Sequence, residues 1–262
     1  MALSHLIHRR SLILLCVIIA LPALAGIAYA SHSWAGYHWA RTSNPFTVKL
    51  GDNVTNAWDS YLATTSSDWS VSTVLDTTIV LGQGGKNCRA SAGRIEVCNA
   101  KYGRNGWLGL ASVWVNGSHI TQGTAKMNDT YFNTPTYNSP AWKNLVMCQE
   151  VAHAFGLNHQ DESFTNANLD TCMDYTNNPT SNQHPNAHDY EQLELTYEHL
   201  DSTTTLSASA PQTGAQESEN SGPEYWGKPL HHDGKGRPSH FEKDLGKGQK
   251  VFTFVIWADE EK

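Results

Sequence analysis

Charge is scarce in this sequence. Asp, Glu, Lys and Arg make up 16% of its 262 residues, against roughly 25% in an average soluble protein. The 18 Lys and Arg are outnumbered by 25 Asp and Glu, and no basic cluster stands out. Nucleic acid is therefore not expected as a partner. Nine Trp, 20 Gly and many Ser, Thr and Asn instead indicate a loop-rich extracellular protein rather than one built from long helices.

The N-terminus carries an export signal. His8-Arg9-Arg10 is a basic region, residues 11–28 are nearly all apolar, and Ala28-Tyr29-Ala30 supplies a small-x-small cleavage pattern. We predict that residues 1–30 are a signal peptide. The mature protein would then be secreted, or held in the cell envelope, without stable membrane association. The alternative is an uncleaved anchor helix, since about 18 apolar residues is the lower limit for crossing a bilayer. Pro22 and the Ala-rich end favour cleavage.

Cysteine is present in a number that fits disulfides. Cys16 lies in the leader, and four cysteines belong to the mature chain: Cys88, Cys98, Cys148 and Cys172. An even number in an oxidising compartment predicts two disulfides. Local pairing, Cys88 with Cys98 and Cys148 with Cys172, is favoured among three connectivities. Four free buried thiols are the alternative.

Strand patterns outnumber helix patterns. β-branched and alternating stretches predict strands over residues 47–50, 73–81, 94–98, 110–115 and 119–127, with a hairpin turn at Asn116-Gly117. Helical spacing predicts helices over residues 52–62, 140–155 and 186–200, and Ser139 is a suitable N-cap for the second of them. This mixture predicts an α+β fold.

Composition divides the chain into four parts. After the signal peptide, residues 31–201 hold most of the predicted elements and form one domain. Residues 202–221 contain almost no large apolar side chain and are predicted to be a flexible linker. Residues 222–262 contain the run VFTFVIW and are predicted to be a small β-rich appendage, too short to bury much surface by itself.

The stretch MCQEVAHAFGLNHQD, residues 147–161, lacks one residue of a metal-binding pattern. On a helix, Gln149 and His153 lie on one face a turn apart, and Glu150 is offset by one residue. Gly156 lets the chain turn back, so that His159 can approach as a third ligand. The pattern suits a catalytic Zn2+ that activates water, with Glu150 as general base and later as proton donor to the leaving amine.

The run from Glu150 to His159 resembles the metzincin metallopeptidase signature H-E-x-x-H-x-x-G-x-x-H, with Gln149 in place of the first His. The matrixin branch and its bacterial-type relatives are the most similar. Glu150, His153, Gly156 and His159 match in order. The resemblance covers roughly residues 46–201.

The resemblance implies a metzincin-like catalytic domain with a twisted mixed sheet, an active-site helix, a methionine turn and a C-terminal helix. Met173, fourteen residues after His159, matches the methionine beneath the metal. Tyr175 matches a tyrosine that stabilises the tetrahedral intermediate in some branches. The implied function is a secreted zinc-dependent endopeptidase. Its protein or peptide substrate would add to a sheet edge, for which Gly109-Leu110-Ala111 is the best candidate.

Calcium and disulfide chemistry add two further expectations. Matrixins commonly bind structural Ca2+, and the candidate ligands are Asp161, Glu162 and Asp170, which are otherwise solvated loop acids. A Cys148–Cys172 bridge would clamp the metal-binding helix to the turn that holds Met173. Closing a loop of about 23 residues in this way contributes about 3 kcal/mol through the entropy of the unfolded chain.

Position 149 leaves three interpretations open. Gln149 coordinates zinc weakly through its carbonyl oxygen; or Asp161, His184 or His188 completes the site; or the metal is lost. In the third case the protein is a catalytically inactive metzincin-like pseudoenzyme that binds peptides or surfaces. Glu150 favours the first two interpretations, because a buried carboxylate beside two histidines is unstable without a cation.

Overall fold

The computed structural model describes residues 31–207 and 222–259. The predicted signal peptide and most of the predicted linker, residues 208–221, lie outside the described residues. The strands of the described chain are β1 His38–Trp39, β2 Phe46–Asn53, β3 Leu75–Leu81, β4 Arg94–Ala100, β5 Trp107–Asn116, β6 His119–Asn128, β7 Lys228–His232, β8 Pro238–Gly246 and β9 Gln249–Trp257. Its α-helices are α1 Asp59–Trp69, α2 Asp129–Phe132, α3 Pro140–His153 and α4 Ala187–Thr196.

These strands form one mixed sheet in the order β3-β2-β4-β6-β5-β9-β8-β7, and β1 pairs with β6 outside that order. Strands β3, β2, β4 and β6 are parallel neighbours. Strand β5 is antiparallel to both of its neighbours, β6 and β9. A large mixed sheet with few helices confirms the α+β class.

Helix α3 begins at Pro140, where the sequence indicated, and ends at His153, two residues before the predicted end. The Ser139 side chain accepts a hydrogen bond from the Trp142 backbone N–H at 3.3 Å, and Pro140 occupies the first turn. Beyond the helix, Gly156 has a φ of +97°. A Cβ atom there would lie 2.4 Å from the Tyr37 carbonyl oxygen, so the turn requires glycine. Residues 145–153 are all buried, which makes α3 the central helix of the core.

Helix α1 begins later than predicted, at Asp59 instead of Asp52. Strand β2 takes up the first two of these residues, because Asp52 and Asn53 still pair with β4, and residues 54–58 form the connection to the helix. The apolar face is then set by Leu62 and Trp69, which are buried within the helix. Tertiary pairing thus overrides the helical spacing at the start of the predicted segment.

Helix α4 ends earlier than predicted, at Thr196 rather than Leu200. The Asn44 side-chain amide donates to the Tyr197 carbonyl at 2.8 Å. Asp201 pairs with Arg41, with Oδ2 and Nη1 3.0 Å apart. These contacts hold the chain after Thr196 against the N-terminal segment instead of in a further helical turn.

The C-terminal segment continues the main sheet, in contrast to the appendage that we expected. Strand β9 pairs with β5 along its length, from Trp107 opposite Trp257 to Asn116 opposite Gln249. Alternate β9 side chains are buried on the two faces of the sheet. Phe254 joins the main core, and Val255 joins a second apolar cluster with Trp107, Leu110, Trp226 and Phe241. Strand β9 is therefore an interior strand.

The chain remains attached to the domain beyond Ser202, where we expected the linker to begin. The Thr205 N–H donates to the Ala40 carbonyl at 3.0 Å, and the Ala40 N–H donates to Thr205 Oγ1 at 3.0 Å. Both contacts lie within the predicted linker range of 202–221.

Both expected disulfides are present. Cys88–Cys98 and Cys148–Cys172 each have Cα atoms 6.0 Å apart. The second bridge joins α3 to the segment that contains Met173. Within residues 31–207 and 222–259, no helix has the length and apolar character needed to cross a membrane.

Candidate metal centre

The C-terminal half of α3 places the predicted site residues inside the core. Gln149 and Glu150 are fully buried, and His153 is almost so. Because Gln149 and His153 are four residues apart on the helix, their side chains lie on the same face. His159 follows after the turn at Gly156 and is also buried, with its ring centroid 4.7 Å from that of His153.

The two histidines are oriented in the same way. The Nδ1 atom of His153 lies 2.9 Å from the Leu157 carbonyl oxygen. The Nδ1 atom of His159 lies 2.8 Å from Glu162 Oε1. Since a carbonyl and a carboxylate only accept, each Nδ1 carries a proton, and Nε2 is the nitrogen left to bind a metal when the ring is neutral. Metal-binding histidines are commonly fixed by such an outer partner.

The predicted methionine turn lies alongside the second histidine. The Gln160 N–H donates to the Met173 carbonyl at 2.6 Å, and the Tyr175 N–H donates to the Asp161 carbonyl at 3.1 Å. Met173 is fully buried. The ring of Tyr175 packs against that of His159 with centroids 4.4 Å apart. Chain pairing therefore brings Tyr175 to the histidines, as the resemblance implied.

Several buried polar atoms around the histidines have no hydrogen-bond partner in the described part of the chain. They are Gln149 Oε1 and Nε2 and His159 Nε2, and the buried Glu150 carboxylate has no partner there beyond the backbone of Ala111. Leaving one buried polar group unsatisfied costs roughly 1–3 kcal/mol. A zinc ion held by Gln149, His153 and His159 would occupy two of these atoms, so the donor set fits the metal.

Burial also sets the protonation of the site. It raises the pKa of Glu150 well above its usual range, against a partial lowering by the backbone of Ala111. Burial, aided by nearby His159, lowers the pKa of His153 well below its usual range. A neutral imidazole is the form that binds metal, and a cation beside Glu150 would favour its ionised form.

Strand β9 covers the site. The ring of Phe254 stacks on that of His153, with centroids 4.2 Å apart and planes 9° apart. On its other face it stacks on His240 at 4.1 Å and 17°. Phe254 lies opposite Ala111 in the β5–β9 pairing. The expectation that Gly109-Leu110-Ala111 forms a free edge for substrate is therefore wrong, because β9 already occupies that edge.

Tyr175 is engaged by the same strand. Its hydroxyl donates to the Val255 carbonyl at 3.1 Å. Burial raises the pKa of Tyr175 well above its usual range, with a further contribution from Glu162. In this conformation the hydroxyl is a structural donor to β9.

The three residues considered as substitutes for Gln149 have other partners. His184 Nδ1 lies 2.7 Å from Asp68 Oδ2. The ring of His188 lies against that of His32 with centroids 4.8 Å apart. Asp161 Oδ1 accepts from the Ser163 N–H at 2.7 Å. In residues 31–207 and 222–259, no third His, Cys, Asp or Glu completes a ligand group with His153 and His159. Of the four candidates, Gln149 is the one whose side-chain oxygen and nitrogen are both buried without a partner among the described residues.

The calcium candidates are not brought together. Asp161, Glu162 and Asp170 form no three-residue ligand group in the part of the chain that the structure describes. Glu162 instead pairs with His159, as described above. Asp170 has a positive φ of +57° in a bend, where its carboxylate has no role that the structure defines.

Sequence reasoning missed three residues at the centre. Glu162 could have been found as an outer partner of His159 from its position three residues further on. No local sequence pattern linked Phe254 or His240 to the site. They lie some ninety residues downstream and reach the site only through the pairing of β9 with β5.

Comparison with protein-family models and with curated proteins gives no match for this chain. The site is therefore interpreted from its own residues and geometry.

Proposed function

We propose that the protein is a secreted, metzincin-like zinc endopeptidase in which Gln149, His153 and His159 hold the metal. The observation that carries the proposal is the set of buried polar atoms without partners around two histidines whose Nδ1 atoms are already fixed. The two disulfides agree with an oxidising, extracellular location.

The residues of the chain have separate tasks in this proposal. When bound, zinc would supply Lewis-acid polarisation of the substrate carbonyl and acidify water at the site. Glu150 accepts the proton of the attacking water and passes it to the leaving amine. Leu157 and Glu162 hold the two histidine rings. Tyr175 becomes available to a developing oxyanion only when its hydroxyl leaves the Val255 carbonyl.

The substrate is an extended peptide that competes with β9 for β5. Strand β9 is extended and antiparallel to β5 directly across from the site, which is how a bound peptide would add to a sheet. The protein is thus a latent peptidase in the conformation described here. Release of β9 uncovers His153, frees the Tyr175 hydroxyl and exposes the backbone groups of residues 109–111 together.

A cavity on the same side suggests one specificity feature. It has a volume of about 190 Å³ and its lining includes Trp142, Phe164 and Ile256. Phe164 stacks on Tyr175 with centroids 5.1 Å apart. Since Ile256 belongs to β9, release of that strand would open this cavity beside Trp142 and Phe164, and we infer that the opened space receives an apolar substrate side chain next to the scissile bond.

A second candidate function is binding without turnover. Two observations favour it: glutamine is a weaker zinc donor than imidazole, and Phe254 covers His153. In this candidate the fold is a pseudoenzyme, and β9 or a peptide that replaces it is the bound segment.

The test measures zinc content and cleavage together. Full-length protein and Glu150→Ala would be saturated with zinc, and hydrolysis of a quenched peptide library would be followed before and after release of the C-terminal segment. Release uses an engineered cleavage site near residue 215, followed by mild denaturant to dissociate β9. The same inserted site in Glu150→Ala is the matched control.

We expect zinc binding in both proteins and chelator-sensitive cleavage only when Glu150 is present, with activity rising after release. Loss of the general base lowers turnover by roughly 10²–10⁴-fold. Zinc binding without cleavage in any state would select the binding candidate. Absence of zinc at this centre under saturating metal would overturn the peptidase proposal.

A further inference from the structure

A second group of metal-ligand side chains lies at the opposite end of β6 from the centre just described. His38 belongs to β1, His119 begins β6, and His199 and Asp201 follow α4. The ligand atoms of His38, His119 and Asp201 all lie within 4.8 Å of one another. Ala125 pairs with Ala111, whose backbone contacts Glu150, and it is six residues from His119, or roughly 20 Å along the strand.

Asp201 Oδ1 and the nearest histidine nitrogens are spaced almost as zinc ligands are. Asp201 Oδ1 lies 3.2 Å from His119 Nε2 and 3.5 Å from His38 Nε2. His199 Nε2 lies 3.3 Å from His38 Nε2 and 4.0 Å from Asp201 Oδ1. Zinc bonds of about 2.0–2.1 Å in a tetrahedron separate neighbouring ligand atoms by about 3.3–3.4 Å. His199 lies outside the group of three whose ligand atoms are all within 4.8 Å of one another, so its side chain, which is 53% exposed, would have to rotate to become the fourth ligand.

The tautomer of His38 leaves room for a cation. Its Nδ1 lies 2.8 Å from the Gly36 carbonyl oxygen, which can only accept. The Nδ1 atom therefore carries a proton, and Nε2 is the nitrogen directed at Asp201 Oδ1. In the neutral ring Nε2 has a lone pair, so a cation between it and the carboxylate would be bound by both.

Arg41 fixes the carboxylate in the required orientation. Its Nη1 and its backbone N–H both donate to Asp201 Oδ2, at 3.0 Å and 3.1 Å. Its Nη2 donates to the His199 carbonyl oxygen. Oδ2 is thereby committed to Arg41, and Oδ1 is left for the histidines.

We propose that His38, His119, His199 and Asp201 form a second, structural metal site that binds Zn2+ or a similar divalent transition ion. Imidazole nitrogen with one carboxylate oxygen is a donor set that zinc accepts readily. The metal would join three segments that are distant in sequence: the N-terminal strand, the start of β6 and the chain after α4. With four protein ligands it would have no open position for substrate.

The test counts zinc in untagged, full-length protein after metal loading and dialysis, and follows thermal unfolding with and without zinc. The variants are His199→Ala alone and His119→Ala with His199→Ala. The control is His184→Ala, whose side chain is also 53% exposed and also pairs with an aspartate, Asp68.

We expect the double variant to hold one zinc fewer per chain than the control and to lose most of the zinc-induced rise in Tm. The single variant should bind this zinc more weakly by at least roughly 10–100-fold, the effect of losing even an outer partner. The first centre loads independently. If the first centre binds zinc, the double variant lowers the zinc count per chain from two to one. If the first centre binds none, the double variant lowers it from one to zero.

An unchanged zinc count and an unchanged Tm shift in the double variant would overturn the proposal. If the double variant does not fold, His199→Ala decides, because it removes only a half-exposed ring. Zinc affinity equal to that of His184→Ala would then refute the site.

Discussion

The two histidine centres of this protein differ in what surrounds them. Beside His153 and His159, Gln149 Oε1 and Nε2 and His159 Nε2 are buried without a hydrogen-bond partner among the described residues, and the ring of Phe254 on β9 stacks on His153. Around Asp201 the candidate ligand atoms face one another, and two of the three histidines are partly open to solvent. The first centre is thus marked by unsatisfied buried atoms, and the second by histidine nitrogens directed at one carboxylate oxygen.

Accessibility follows the same division. In the proposals above, the first centre becomes accessible to a peptide only after β9 moves, whereas the second would bind its metal at the surface. The first would therefore act as a regulated reactive site and the second as a structural metal site. Three substitutions test this difference between the two centres.

The largest effect is expected from removing the Cys148–Cys172 disulfide, which adjoins the first centre and not the second. Cys148→Ser with Cys172→Ser should lower the free energy of unfolding by about 3 kcal/mol, from the released loop entropy. Because the bridge lies beside both Gln149 and Met173, zinc affinity at the first centre should fall while the second keeps its metal. Urea unfolding and zinc counts measure the two effects.

Cys88→Ser with Cys98→Ser is the control for the bridge. It should cost a similar free energy of unfolding and leave zinc at both centres. Equal loss of zinc in the two double variants would show that the Cys148–Cys172 bridge has no special relation to the first centre.

The second effect concerns the loss of folding stability at acidic pH. Burial, with His231 and His159 nearby, lowers the pKa of His240 from 6.5 to about 3. The folded state therefore disfavours the proton, so this stability is present above pH 6.5 and is lost as the pH falls towards 3. In metal-free protein, His240 should account for about 3 kcal/mol of the loss between pH 7 and pH 4.5.

His240→Phe should remove that part of the acid sensitivity, since Phe keeps the stacking on Phe254 without a titratable group. Chemical unfolding at both pH values measures it. His184→Phe, at an exposed position, should retain the full pH dependence. If the free energy of unfolding of His240→Phe falls with pH as steeply as that of the wild type, then His240 is not kept neutral by the fold.

The smallest effect is expected on zinc affinity when Gln149 is changed, and it should distinguish the two centres most directly. Gln149→His replaces a weak carbonyl donor with imidazole and should raise zinc affinity at the first centre by roughly tenfold or more. Competition with a chromophoric chelator measures it. Affinity at the second centre should not change. No change at the first would exclude Gln149 as a ligand.

Much of the fold was predictable because local signals agreed with the tertiary structure. Ser139, Pro140 and Gly156 set the limits of α3, and Asn116-Gly117 sets the hairpin between β5 and β6. The helix predicted from residue 52 failed at its start, since pairing of β2 with β4 extended the strand. The pairings Cys88–Cys98 and Cys148–Cys172 were correct.

The spacing of Gln149, Glu150, His153 and His159 could be read from local sequence, because a helix and a glycine turn convert short intervals directly into positions in space. The cover of β9 over them, and the meeting of His38, His119, His199 and Asp201, depend on long-range contacts. Pairing between β9 and β5 and contacts after α4 join residues more than eighty positions apart. No local pattern encodes such contacts, since they arise from the burial of whole strands and segments.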